Sequence, residues 1–150
     1  MIKKILLALL AIFLIMQFFR ADLPEVIQDN PEDLIANNEV PADVEHILRS
    51  SCYDCHSNET NYPWYSYVAP VSYLVAEDTE HGRRDLNFST WESLDKIEKA
   101  EMLHEIAEEV EEGEMPMKIY TYTHSEARLS DEQREMIEDW AEEMAESLFE

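Results

Sequence analysis

Cys52-Tyr53-Asp54-Cys55-His56 is the stretch from which the rest of this chain is best read. Two thiols three positions apart, followed at once by an imidazole, have the spacing of a c-type haem attachment site. Each thiol can form a thioether to one vinyl group of the same porphyrin, and the imidazole can then bind the iron as its proximal ligand. Cys52 and Cys55 are the only two cysteines in 150 residues, so no thiol remains for another purpose. A structural zinc site needs four ligands, and there is no second cysteine pair to complete one. A thioredoxin-like dithiol would sit on a βαβ pattern, which nothing flanking the motif suggests. A structural disulfide between Cys52 and Cys55 would leave His56 unexplained.

The N-terminus supplies a context. Lys3 and Lys4 precede an apolar run from Ile5 to Phe19, and Arg20 closes it. A basic start followed by an apolar segment is the layout of an export signal. Gln17, Phe18, Phe19 and Arg20 are too large for a small-x-small cleavage site, so residues 1–20 are expected to remain as a membrane anchor with the lysines in the cytoplasm. The run is short for a span of about 20 residues, so cleavage to a soluble form is the alternative. Haem attachment outside the bacterial cytoplasmic membrane would place the domain in the periplasm, supplied by a haem-attachment machinery.

The net charge is −23. Residues 21–150 hold 8 Lys/Arg against 34 Asp/Glu, or −26. Such a surface disfavours nucleic acid and anionic lipid headgroups. It suits a redox partner with a basic docking surface, and equally it suits solubility or a salty habitat.

Residues 21–40, punctuated by Pro24 and Pro31, read as a tether, and residues 41–150 as one all-α domain. Pro41 opens a helix to about Ser51, with Val44, Ile47, Leu48 and Ser51 on one face and His46 beside them. Tyr62, Trp64, Tyr65 and Tyr67 follow the motif and suit either a wall against a porphyrin or ordinary core packing. Pro70 suits the first turn of a helix carrying Val71, Leu74, Val75 and Asp78 and ending near His81 and Gly82. Arg83 and Arg84 could meet a haem propionate or surrounding acid. Ser89 and Glu92 form a capping box, with Asp95 and Glu98 as a second cap should the helix break there. Ala100, Leu103, Ile106, Ala107 and Val110 then form a stripe, and Gly113 a stop. Ser130 and Gln133 cap a last helix with Ile137, Trp140, Ala141, Met144 and Leu148 inward.

A second axial ligand is expected from Gly113-Glu114-Met115-Pro116-Met117. Proline disfavours helix at Met115 and pushes it into extended backbone, from which a thioether can point at a porphyrin. Met117 is the neighbouring alternative and His124 the competing imidazole; His81 and His104 are weaker. Met102, Met136 and Met144 read as core. His/Met ligation would raise the reduction potential relative to His/His.

Taken together, Cys52 to Thr60, Tyr62 to Tyr65, Ala69 to Val71, Leu86 to Ser89 with Trp91, and Gly113 to Pro116 followed by His124, Leu129 and Ser130 resemble the bacterial haem-binding domain family, small exported c-type cytochromes. The resemblance covers about residues 40–145. It implies covalent haem c at Cys52, Cys55 and His56, and Met115 as distal ligand. The expected molecule is a cytochrome c-like helical domain around one haem, preceded by an anchor helix and carrying single electrons. A haem sensor or peroxidase-like enzyme with an exchangeable distal position, using His124, is the alternative.

Overall fold

The computed structural model describes residues 1–150 and is helical throughout, without strands. The helices are α1 (Ile2–Met16), α2 (Leu34–Asn37), α3 (Ala42–Ser51), α4 (Tyr53–His56), α5 (Val71–Asp85), α6 (Lys96–Glu111), α7 (Lys118–Thr121) and α8 (Asp131–Ser147). α1 continues as a 3₁₀ turn, Gln17–Phe19, and no residue of it is buried. Together they make an 18-residue apolar segment of mean hydropathy 2.2. That is long and apolar enough for a membrane anchor or a signal sequence.

Sequence rules place most boundaries. α3 starts after Pro41 and buries Val44, Ile47, Leu48 and Ser51, the i, i+3, i+4, i+7 face. α6 begins at the second cap: Asp95 accepts from the Ile97 and Glu98 amides, and Glu98 accepts from the Asp95 amide at 2.8 Å. Ser130 and Gln133 cap α8 in the same reciprocal way. α6 and α8 pack along each other, burying Leu103, Ala107 and Val110 against Ile137, Trp140 and Ala141.

Three expectations give way. Ser89 is not an N-cap. Its hydroxyl accepts from the Asn58 amide at 2.9 Å, and Asn87 caps a 3₁₀ turn, Phe88–Ser93, that carries both Phe88 and Trp91 into the core. α5 does not stop at Gly82 but runs through it to Asp85. Its inward face is Ser72, Ala76, Thr79 and Gly82, while Val71 and Leu74 remain exposed. Small side chains let α4 approach this helix closely; a Cβ on Gly82 would lie 2.7 Å from the Cys55 carbonyl oxygen.

The third is the tether. Residues 24–37 are strapped onto the domain. The Ile27 amide donates to Asn58 O, Tyr62 donates to Pro24 O at 3.0 Å, and the Glu92 amide donates to Glu32 O. Leu34 is fully buried in the core. Asp33 is buried as well, because it caps α2 through the Ile35 and Ala36 amides and accepts from the Tyr53 hydroxyl. Alternating prolines suggested a spacer, whereas one leucine and one capping aspartate anchor the segment.

Leu34→Ala is therefore expected to cost about 2–5 kcal/mol, as for a buried leucine; a free tether would cost nothing. Denaturant unfolding decides between them. Burial, and secondarily the Asp33 carboxylate, push the Tyr53 phenol well above its ordinary 10.0. The fold keeps that proton where the unfolded chain releases it, so this stabilisation is whole below about pH 10 and is lost as pH rises beyond. Unfolding midpoints from pH 8 to 11 should fall with a slope that Tyr53→Phe reduces.

Candidate functional site: a thiol- and imidazole-lined cavity

The Cys-x-x-Cys-His stretch forms one short helical turn directly after α3. The Cys52 amide still bonds to Leu48 O, and the His56 amide to Cys52 O. This places Cys52, Cys55 and His56 on one wall of a cavity of about 600 Å³. Gly82, Leu86 and Phe88 continue the wall, while Met102, Ile106 and Val110 of α6 and Met115, Pro116 and Met117 of the following loop line the cavity as well.

His56 is set for coordination through one nitrogen. Nδ1 lies 3.1 Å from Gly82 O and 3.2 Å from Leu86 O, both acceptors, so it carries the proton and Nε2 keeps its lone pair. Gly82 O also accepts from the Leu86 amide at 2.9 Å and so takes the imidazole as a second donor, whereas Leu86 O, at the C-cap, lies beyond the bonding of the helix. A backbone carbonyl on the far nitrogen is the usual support of a metal-ligating histidine. Burial lowers the imidazole pKa, and the two carbonyls oppose it in part. The ring is neutral at pH 7. Both cysteines are free thiols. Burial first, then the neighbouring Cys55, raises Cys52 to about 12; burial, then Asp54 and Asp78, does the same for Cys55.

The loop after α6 is held rigidly. Gly113 has φ 72°, which favours glycine, and turns the chain so that the Glu114 and Met115 amides both donate to Glu109 O at 3.0 Å. Arg134 of α8 donates to Val110 O at 2.7 Å and to Met115 O at 3.3 Å. Met115 is thereby fixed at the cavity together with Met117.

Other sequence candidates lie elsewhere. His124 does not line this cavity. Its Nε2 meets the Tyr65 hydroxyl at 2.6 Å, its Nδ1 faces Glu126 at 3.2 Å, and its ring stacks on Tyr120 at 4.1 Å. Both nitrogens are engaged. Tyr62, Trp64, Tyr65 and Tyr67 form no wall of the cavity; the aromatic rings there are Phe88 and Tyr120. The 3₁₀ turn Trp64–Tyr67 points Trp64 and Tyr67 outward instead. Arg83 is spent on the Ser57 and Glu25 carbonyls and the Thr60 hydroxyl, and Arg84 on Asp85. His46 and His104 are exposed and away from it, whereas His81 lies at its edge.

Met102 packs against the core, as it read, and lines the cavity as well. It shares a helical face with Ile106, Glu109 and Val110, and the acids interleaved there masked the stripe. The acids matter in themselves. Asp78, Asp85, Glu105, Glu108 and Glu109 line the cavity, and no lysine or arginine does.

A neutral imidazole with a free lone pair, paired thiols, thioethers and an apolar lining suit a haem. The volume falls within the roughly 300–1,000 Å³ of cofactor pockets. The haem-binding domain family model matches residues 11–143. The chain belongs to the haem-binding domain family. No curated protein and no solved structure matches it. As a member of the haem-binding domain family it is a haem protein, and the match begins within α1 and runs through the strap.

The approach of Gly82 to Cys55 makes Gly82→Ala a direct probe of the site. The added methyl must part α4 from α5, costing about 1–3 kcal/mol, and must disturb the bond from His56 Nδ1 to Gly82 O. Reduced haem content alongside reduced stability is expected; unchanged values for both would show the contact to be slack.

Proposed function

We propose that this haem-binding domain is a membrane-anchored, periplasmic monohaem c-type cytochrome that passes single electrons. The observation that carries it is one cavity joining Cys52, Cys55 and a neutral, carbonyl-braced His56 to a methionine loop. Cys52 and Cys55 would hold haem by thioethers, each formed by addition of S–H across a vinyl group without net oxidation. His56 Nε2 and the Met115 sulfur would be the axial ligands, with Met117 and Met102 the other thioethers in reach of the cavity. Haem supplies a one-electron couple, and the protein sets its potential through ligands and surroundings.

Two influences on the potential oppose each other. A thioether ligand raises it, and carboxylates around the cavity favour the oxidised, more positive centre and lower it. The same acids would guide a partner with a basic docking surface and make encounter depend on salt. A sensor or peroxidase-like enzyme draws no support from His124, whose two nitrogens are already bonded outside the cavity.

The test uses the haem-loaded, oxidised protein. Wild type should show a weak sulfur-to-iron charge-transfer band that Met115→Ala abolishes and Met117→Ala retains. Cys52→Ser with Cys55→Ser should leave no haem that survives denaturation. Covalent haem retained in the double variant would refute the attachment, and a band that survives Met115→Ala would move the ligand to another methionine.

A further inference from the structure

The end of α1 is bonded to the domain rather than leading away from it. The Gln17 side-chain amide makes a paired contact with one residue: Nε2 donates to Ala69 O, and Oε1 accepts from the Ala69 amide, both at 3.0 Å. Arg20 donates to Tyr67 O at 3.3 Å, the Ala21 amide donates to the Ser72 hydroxyl, and the Tyr73 hydroxyl donates to Phe19 O. These bonds join the last turn of the apolar helix to the segment from Tyr67 to Tyr73.

That segment and the residues flanking it, from Trp64 to Leu74, carry an exposed aromatic surface. Trp64 is 77% exposed, and Tyr67, Tyr73, Val71 and Leu74 are exposed as well. Residues three apart eclipse each other in a 3₁₀ turn, so Trp64 and Tyr67 project on the same side. Phe18 and Phe19, also exposed, stand at the junction.

From these placements we infer that the domain lies on the membrane, with Trp64, Tyr67, Tyr73, Phe18 and Phe19 seated in the interfacial region of the bilayer. This rests on α1 being a retained anchor. Tryptophan and tyrosine favour the headgroup level, where an apolar ring and a polar tip are both satisfied. Length points the same way. Ile2–Phe19 is 18 residues, about 27 Å as a helix, against a hydrocarbon core of about 30 Å. A slightly short span draws its flanking residues down to the interface. The contact is apolar and aromatic, so it does not need the anionic headgroups that a −26 domain repels. Asp78, the first residue of α5 to line the cavity, is five positions beyond Tyr73, so the lining begins about 7.5 Å along that helix from the lipid-facing end.

The test is photo-crosslinking of the full-length, haem-loaded protein in phosphatidylcholine vesicles containing an alkyne-tagged phospholipid. A benzophenone amino acid replaces Leu10 in α1, Trp64 in the aromatic face, or Ile97, an exposed residue at the start of α6. Lipid adducts at positions 10 and 64, several-fold above position 97, are expected, and Gln17→Ala should reduce the yield at 64 and not at 10. Adducts at 10 without adducts at 64 would overturn the seated domain while leaving the anchor intact. Protein adducts in place of lipid at 64 would also overturn it, in favour of a second copy or another protein on this face. Absence of lipid adducts at 10 would overturn the anchor itself.

Discussion

The close approach of the Cys55 carbonyl to the missing side chain of Gly82 is the constraint on which the site depends. It brings a four-residue turn against the last turn of α5, within reach of the Gly82 and Leu86 carbonyls. Those carbonyls then fix the ring of His56 and its tautomer. Without that proximity the thiols could still share a turn, but the imidazole would rotate freely and its lone pair would have no set direction. The small-residue face of α5 serves the same end by lowering the helix onto its neighbour.

The haem-binding reading was legible because it is local. Cysteine spacing, an adjacent histidine and a proline after Met115 act over a few residues, as do the caps at Asp95 and Ser130. What escaped depends on contacts distant in sequence. Gly82 reads as a helix stop, yet its partner is 27 positions back, and only that packing explains why the helix continues. Ser89 reads as a cap until its hydroxyl is seen to serve the Asn58 amide. The aromatic cluster after the motif suggested a porphyrin wall, because composition does not say which way a 3₁₀ turn faces. Leu34 lay among prolines and acids, and nothing nearby signalled its burial.

The basic residues are placed tellingly in so acidic a chain. Arg83 and Arg134 reach backbone carbonyls in preference to the abundant carboxylates. A planar guanidinium with several donors can tie separate segments at once. Arg83 ties the strap, the loop after the motif and α5; Arg134 ties α8, the end of α6 and the methionine loop. Backbone acceptors are satisfied this way, and most carboxylates, the buried Asp33 apart, are left to solvent or to the cavity edge. The exposed ion pairs, such as Arg84 with Asp85, contribute little to stability.

The arginine that clasps the methionine loop is also among the last parts of the cavity's support in chain order. Everything that shapes the thiol and imidazole side of the cavity lies before residue 89. The facing side needs α6, its loop and finally Arg134, which arrives with α8. A chain threaded across a membrane behind a retained anchor would present its thiols as an open half-shell, accessible while the remainder is still in transit. The last helix then shuts the shell. In such a topology α8 acts as a latch, and the timing of its arrival would separate a molecule still open to loading from one that is sealed.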